Sequence, residues 1–227
     1  MKAKPNFAMT ILTSIVCLLP LILSVALYGD LPEHIAIQWS STGDPANIVP
    51  KAAAAFGLPL IFAAVNIISK IRLMNDPKRE GASSTMRAVY MWLVPSISLA
   101  AVPVALFMAI GVSIPITVVG PVIVGIVFIL FGNYLPKSRQ NYVIGIKLPW
   151  TLHNADNWNK THRMAGYLWI LGGIVLIAGS FAARESSAWL IISAAVLAPV
   201  IIAPFIYSYL LYKRNGNNEQ STRRGLQ

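Results

Sequence analysis

Long uncharged stretches separated by short charged ones set the pattern of this chain, and the lengths of the gaps predict its elements. No charge falls between Lys4 and Asp30. A helix needs about 20 apolar residues to cross the hydrocarbon of a bilayer, so residues 7–27 predict one crossing. The block is too long for a signal-peptide core, and Tyr28-Gly29-Asp30 leads into further chain rather than a small-residue cleavage site. A second block, residues 52–69, lies between Lys51 and Lys70. Residues 88–136 are uncharged over about twice the length one helix needs, and the turn residues Gly111-Val112-Ser113-Ile114-Pro115 divide them into helices at 89–110 and 116–135. Two further helices, 164–183 and 188–212, flank a tight turn at Arg184-Glu185-Ser186-Ser187. The fold class predicted is an all-α membrane protein with six transmembrane helices.

Composition agrees with this pattern. Of 227 residues, 56% are apolar and only 11% charged, against roughly 25% charged in soluble domains, which excludes an ordinary soluble globule. A net charge of +10 would suggest nucleic acid on a soluble chain. Here every Lys and Arg except Lys51 and Arg184 falls on one side of the six-helix arrangement. By the positive-inside rule that side is cytoplasmic, so both termini lie inside, the cations face membrane lipids, and no direct nucleic-acid binding is predicted. Cys17 is the only cysteine, which excludes an intrachain disulfide and a thiolate metal cluster. Pro20, Pro59, Pro95, Pro103, Pro121, Pro199 and Pro204 sit inside predicted spans, where each removes a backbone donor. No Asp, Glu, Lys, Arg or His lies well inside a span, which argues against a proton-driven pump or a voltage sensor.

Two connections are long and polar enough to carry function. In the outer one, residues 29–50, Ile35, Ile37 and Trp39 alternate with Ala36 and Gln38 at strand spacing, and turn residues follow at 41–45. This predicts a short extracellular hairpin against residues 47–49, leaning on the membrane surface or helix ends with Trp39 as interfacial anchor. Such an edge can capture an extended peptide, with His34, Ile35, Ile37, Trp39 and Gly43 as its contacts. The inner connection, residues 132–163, carries Trp150 and Trp158 among cations, as interfacial segments do, with each indole half-buried and its N–H wet. From about Asn154 the chain enters the fifth helix, with Trp158, His162, Ala165 and Trp169 along one face. His153, Asp156 and His162 do not have metal-ligand spacing, so no metal or other cofactor is predicted, and no catalytic motif is found.

The inner residues carry a family resemblance. The run from Gly132 to Asn141, the run Gly145-Ile146-Lys147-Leu148-Pro149-Trp150-Thr151-Leu152 and the run from Trp158 to Arg163 closely resemble the SdpI family of bacterial membrane proteins. The stretch Leu31 to Trp39 with Gly43-Asp44 resembles the small domain upstream in many members. Lys147 departs from the arginine frequent there, keeping the charge without the bidentate fork. The resemblance implies a non-enzymatic, multi-pass protein of the bacterial plasma membrane that confers immunity to a secreted peptide toxin. It also implies recruitment of a cytoplasmic repressor through the inner motif: Asn133, Pro136, Arg139, Asn141, Gly145, Lys147, Pro149, Trp150, Thr151, Trp158, Thr161, His162 and Arg163. The corresponding domain reading is an amino-terminal two-helix module, 1–87, with the outer loop 29–50 and a basic inner loop 70–87. A four-helix module, 88–227, follows with the motif loop 132–163 and a tail at 213–227. Two alternatives stay open: a lipid-handling membrane enzyme with Arg139, His162 and Arg163 facing phosphate, and a small-solute exporter through a proline-kinked bundle.

Overall fold

The computed structural model describes residues 7–40, 43–78, 83–182 and 189–224, with side chains described except at 189–192 and 215–224. The elements in chain order are α1 (Phe7–Leu18), α2 (Pro20–Leu27), β1 (His34–Trp39), β2 (Pro45–Pro50), a π-helical turn (Ala53–Gly57), α3 (Leu58–Met74) and α4 (Ser84–Ala109). After these come α5 (Ile116–Tyr134), a 3-10 turn (Leu135–Lys137), α6 (Pro149–His153), α7 (Ala155–Ala182) and α8 (Trp189–Arg224). Among the described residues, six helical segments are long and apolar enough to cross a membrane: Phe7–Leu27, Ala53–Met74, Ser84–Ala109, Ile116–Lys137, Ala155–Ala182 and Ser193–Arg214. Large apolar side chains such as Ile11, Ile15, Ile22, Ile61, Val65 and Leu171 are exposed along them, as lipid-facing residues are. The chain is a multi-pass membrane protein. The turn expected at 184–187, Ser41 and Thr42 of the hairpin turn, and the cations Lys2, Lys4, Arg79 and Arg184 lie outside the described residues.

The chain forms two compact units that interleave in sequence: Met1–Asn75 with Arg87–Gly120, and Asp76–Met86 with Pro121–Gln227. The first unit is built around gaps left by proline. Pro20 has no N–H to continue α1, so the helix breaks at Leu19 and resumes. Pro59 likewise leaves the carbonyl of Ala55 without its donor four residues on, within the π-helical turn. Ser24 fills that gap, its hydroxyl donating to Ala55 O at 2.6 Å. Ser98 donates to Cys17 O at 2.9 Å beside the Pro20 break. Asn66 Nδ2 donates to Thr13 Oγ1 at 3.1 Å and Ser14 Oγ at 3.0 Å, tying α3 to α1.

Lys70, the charge that bounds the second predicted span, lies within α3 about one turn before its end. This side chain is fully buried in α3, where Nζ donates to Tyr90 O at 3.0 Å and lies 5.1 Å from the Tyr90 ring centre. The helices also run past the apolar stretches that reveal them, so Lys160, His162 and Arg163 fall within α7.

In the second unit, α5 and α7 approach at glycines two turns apart on each helix. A Cβ placed on Gly125 would lie 2.7 Å from Gly173 O, and one on Gly132 would lie 2.7 Å from Gly166 O. Side chains there would force the backbones apart. In α8, Pro204 leaves Val200 O without its helical donor, and Trp169 Nε1 donates to that oxygen at 3.1 Å.

Candidate functional site

The hairpin belongs to the first unit. β1 and β2 pair antiparallel, with Ile35 opposite Val49 and Trp39 opposite Pro45, and irregularities on either side of Gln38. Ser40 N–H donates to Asp44 O at 2.8 Å, and Gly43 closes the turn at φ +89°, a conformation that favours glycine. The hairpin rests on the helices. Ile35, 1% exposed, packs into an apolar cluster with Leu31, Ala54, Ala55, Val102 and Leu106, and Ile37 and Val49 lie against it. Ile35 therefore anchors the strand and is out of reach of a ligand. Trp39 and Gly43 are half-buried, whereas His34, Gln38, Asn47 and Ile48 are exposed. Lys51 pairs with Glu33 at 3.0 Å and lies over the Tyr28 ring at 5.1 Å.

The inner motif belongs to the second unit, where Asn141, Thr151, Trp158, Thr161 and His162 are buried. Asn141 organises the turn after α5. Its Oδ1 accepts from Val143 N–H at 3.1 Å and Ile144 N–H at 2.6 Å, and its Nδ2 donates to Arg139 O at 3.0 Å. Gly145 follows with φ +122°, and any Cβ there would strike His162 Nε2 and the Trp158 ring. The His162 ring stacks on Trp158 at 3.9 Å and is wholly buried. Ile146 N–H donates to His162 Nε2 at 3.0 Å, so that nitrogen carries no proton. Nδ1 then holds the hydrogen and donates to Trp158 O at 2.8 Å, giving the neutral tautomer. Thr151 closes the segment: its hydroxyl donates to Ile146 O at 2.8 Å and accepts from Leu148 N–H at 2.9 Å. Pro149 then opens α6, at a first-turn position where its missing donor costs nothing.

Two expectations change here. Trp158 is not half-buried with a wet N–H; it is fully buried, and Nε1 donates to Ser138 O at 2.8 Å. His162 cannot face phosphate, because both ring nitrogens are engaged inside the unit. Trp150 is half-buried as expected, but its N–H donates to Ser208 Oγ at 2.9 Å and its ring packs with Tyr209 and Tyr212. His153 is exposed, its Nδ1 2.6 Å from Pro149 O.

The structure thus joins Asn141, Gly145, Thr151, Trp158 and His162 in one packed assembly, while Pro149 at the start of α6 is exposed. Thr161 sits beside it, donating to Asn157 Oδ1 at 3.0 Å. Asn133, Pro136, Arg139, Lys147 and Arg163 are exposed instead. Lys147 reaches back to Val143 O at 3.1 Å, while among the described residues neither arginine side chain has a hydrogen bond or ion pair. Gln140 falls within the Gly132–Asn141 run without standing out in it, and Asn157 and Asp76 carry no signal in the sequence. Gln140 Nε2 donates to Thr151 O at 2.8 Å, Asn157 Nδ2 donates to Ser208 O at 2.9 Å, and Asp76 receives the N–H of Tyr142 at 2.8 Å. Each bridges segments far apart in the chain, so only the folded arrangement reveals it.

Comparison with known proteins places matches on both regions. Residues 137–208 match the SdpI/YfhL protein family, and residues 15–63 match a domain of unknown function, DUF1648. The chain is 28% identical over 208 residues to the immunity protein SdpI of Bacillus subtilis (strain 168), covering 91% of this chain and 98% of that protein. No solved structure matches the chain.

Proposed function

We propose, from the similarity of this multi-pass membrane protein to the SdpI/YfhL family and to an immunity protein, that it protects its cell from a secreted peptide toxin without catalysing a reaction. The observation that carries this reading is the extent of the match. An immunity protein is aligned over 98% of its length, so the resemblance takes in the outer hairpin region, the inner motif and the spans between them. The exposed edge of the hairpin, with His34, Gln38, Asn47 and Ile48, supplies a peptide-facing surface mounted on a fixed base at Ile35. The packed inner motif supplies a rigid support for Arg139, Lys147 and Arg163, which face water and suit recruitment of a cytoplasmic repressor. Both termini lie in the cytoplasm in this reading.

The test is expression in a Bacillus subtilis strain lacking its own SdpI, followed by challenge with that strain's cognate toxin. Protection is expected from the wild-type chain, and loss of protection from a His34→Ser, Gln38→Ser, Ile48→Ser triple variant present in the membrane at equal abundance. Killing of cells that carry abundant wild-type protein would overturn the reading.

A further inference from the structure

Asn133 and Arg163, two of the exposed motif residues, stand beside one helix contact. Asn133 follows Gly132 on α5, and Arg163 and Tyr167 lie within a turn of Gly166 on α7, where the two backbones nearly touch. Within the second unit, α5 meets α7 through Gly125, Ile129 and Gly132, and α7 meets α5 through Gly166, Ile170, Gly173 and Ile177. At about 100° per residue, Ile126 and Asn133 stand roughly 50–90° round from the contact line on α5, and Arg163, Tyr167 and Ile174 do so on α7. Gly125 pairs with Gly173 and Gly132 with Gly166, so the helices run antiparallel and rotations of the same sense bring both sets to one side of the seam. All five side chains are exposed there.

That side of the seam is polar at one end and apolar beyond it. Among the described residues, the side chains of Asn133, Arg163 and Tyr167 have no hydrogen bond, and Arg163 has no carboxylate; Asp156, two turns earlier on α7, is taken by Lys160. A guanidinium at the edge of the hydrocarbon is costly unless an anion shares its charge, and its planar fork matches the oxygens of a phosphate. Tyr167, 71% exposed, marks the headgroup level, where tyrosine is favoured. From Arg163 to Ile174 the helix rises about 16 Å, close to the roughly 15 Å depth of one leaflet of hydrocarbon.

We propose that the seam between α5 and α7 binds one membrane phospholipid with an anionic headgroup. Arg163 clasps the phosphodiester through its fork, Asn133 Nδ2 and Tyr167 Oη donate to the remaining oxygens, and an acyl chain lies along Ile126 and Ile174. The glycine contact is what brings donors from two helices within reach of a single phosphate. The site leaves Arg139 and Lys147 for a cytoplasmic partner, and it rests neither on the hairpin as a toxin-facing surface nor on immunity.

Native mass spectrometry of the purified full chain, delipidated in detergent micelles and titrated with lipid, tests the site. Saturable binding of one phosphatidylglycerol per chain is expected, in preference to phosphatidylcholine, whose own ammonium competes with the guanidinium for the phosphate. Arg163→Gln is expected to weaken that binding about ten- to a hundredfold, the range for losing a hydrogen bond to a charged group. Arg163→Lys, which keeps the charge without the fork, is expected to fall between this variant and wild type, and it serves as the readout if the glutamine variant fails to assemble. Asn133→Leu and Tyr167→Phe are expected to weaken binding severalfold each. Lys213→Gln removes an equally exposed cation from α8 and is expected to leave binding unchanged. Glycerol phosphate, the headgroup without its chains, is expected not to displace the lipid at equal concentration. Wild-type affinity in both Arg163 variants, equal affinity for the two lipids, or the same loss in Lys213→Gln as in Arg163→Gln overturns the site. Displacement by glycerol phosphate overturns the lipid as its occupant in favour of a free phosphate ester.

Discussion

Thr151 shows what a single hydroxyl can hold in place. Replacing it with valine keeps the volume but leaves Leu148 N–H and Ile146 O unpaired in a buried segment. Each orphaned group costs about 1–3 kcal/mol, so Thr151→Val is expected to lower the thermal midpoint of the detergent-solubilised protein, while Thr151→Ser stays near wild type. Arg139 and Arg163 behave in the opposite way. Both are exposed and free of internal partners among the described residues, so alanine at either is expected to change stability by no more than about 0.5 kcal/mol. If they recognise a partner through the planar fork, lysine impairs protection nearly as much as alanine does, with melting unchanged. Wild-type protection in both lysine variants at matched membrane levels would reduce these arginines to topological charges. The sequence marked Thr151, His162 and the arginines alike, because a motif match weights residues without saying which way they face. The division between interior and exposed members became visible only with the backbone of residues 139–148, which turns on Asn141 and Gly145.

Spans were legible from charge spacing because burying backbone in lipid demands helices, and helices of that length leave an unmistakable gap between charges. Charge spacing alone did not reach their ends: α7 begins nine residues before its uncharged stretch, a start that the polar run from about Asn154 did indicate, and its first turns are held by polar packing. The prolines were equally plain, but not what satisfies the carbonyls they free, because Ser24 and Trp169 come from distant segments. A double-mutant cycle addresses the second case. Trp169→Phe leaves Val200 O without a donor and is expected to cost about 1–3 kcal/mol in unfolding measurements. Pro204→Ala restores a helical N–H to that oxygen, so the same tryptophan substitution should cost markedly less in the alanine background. Additive effects would mean that the indole N–H contributes nothing through this carbonyl.

At the scale of the molecule, orientation remains the reading that the cation distribution carries, and cysteine labelling on intact cells checks it. A membrane-impermeant thiol reagent is expected to modify a cysteine at Asn47 and to spare cysteines at Ser84 and Lys147, all exposed positions. Ser138 is unsuitable for this purpose, since it is 2% exposed and would stay silent on either side. Labelling at Lys147 from outside would reverse the topology. The hairpin was foreseen from alternation alone, whereas its seat on Leu31, Ala54 and Leu106 was not, because those residues read simply as helix and linker. The native thiol adds a consequence of its own. Cys17 is completely enclosed in the first unit, so although the protein lies between an oxidising exterior and a reducing interior, its one thiol is shielded from both. Two copies cannot be joined through it without unfolding, and any assembly of this chain must be held by surface complementarity rather than by a covalent bridge.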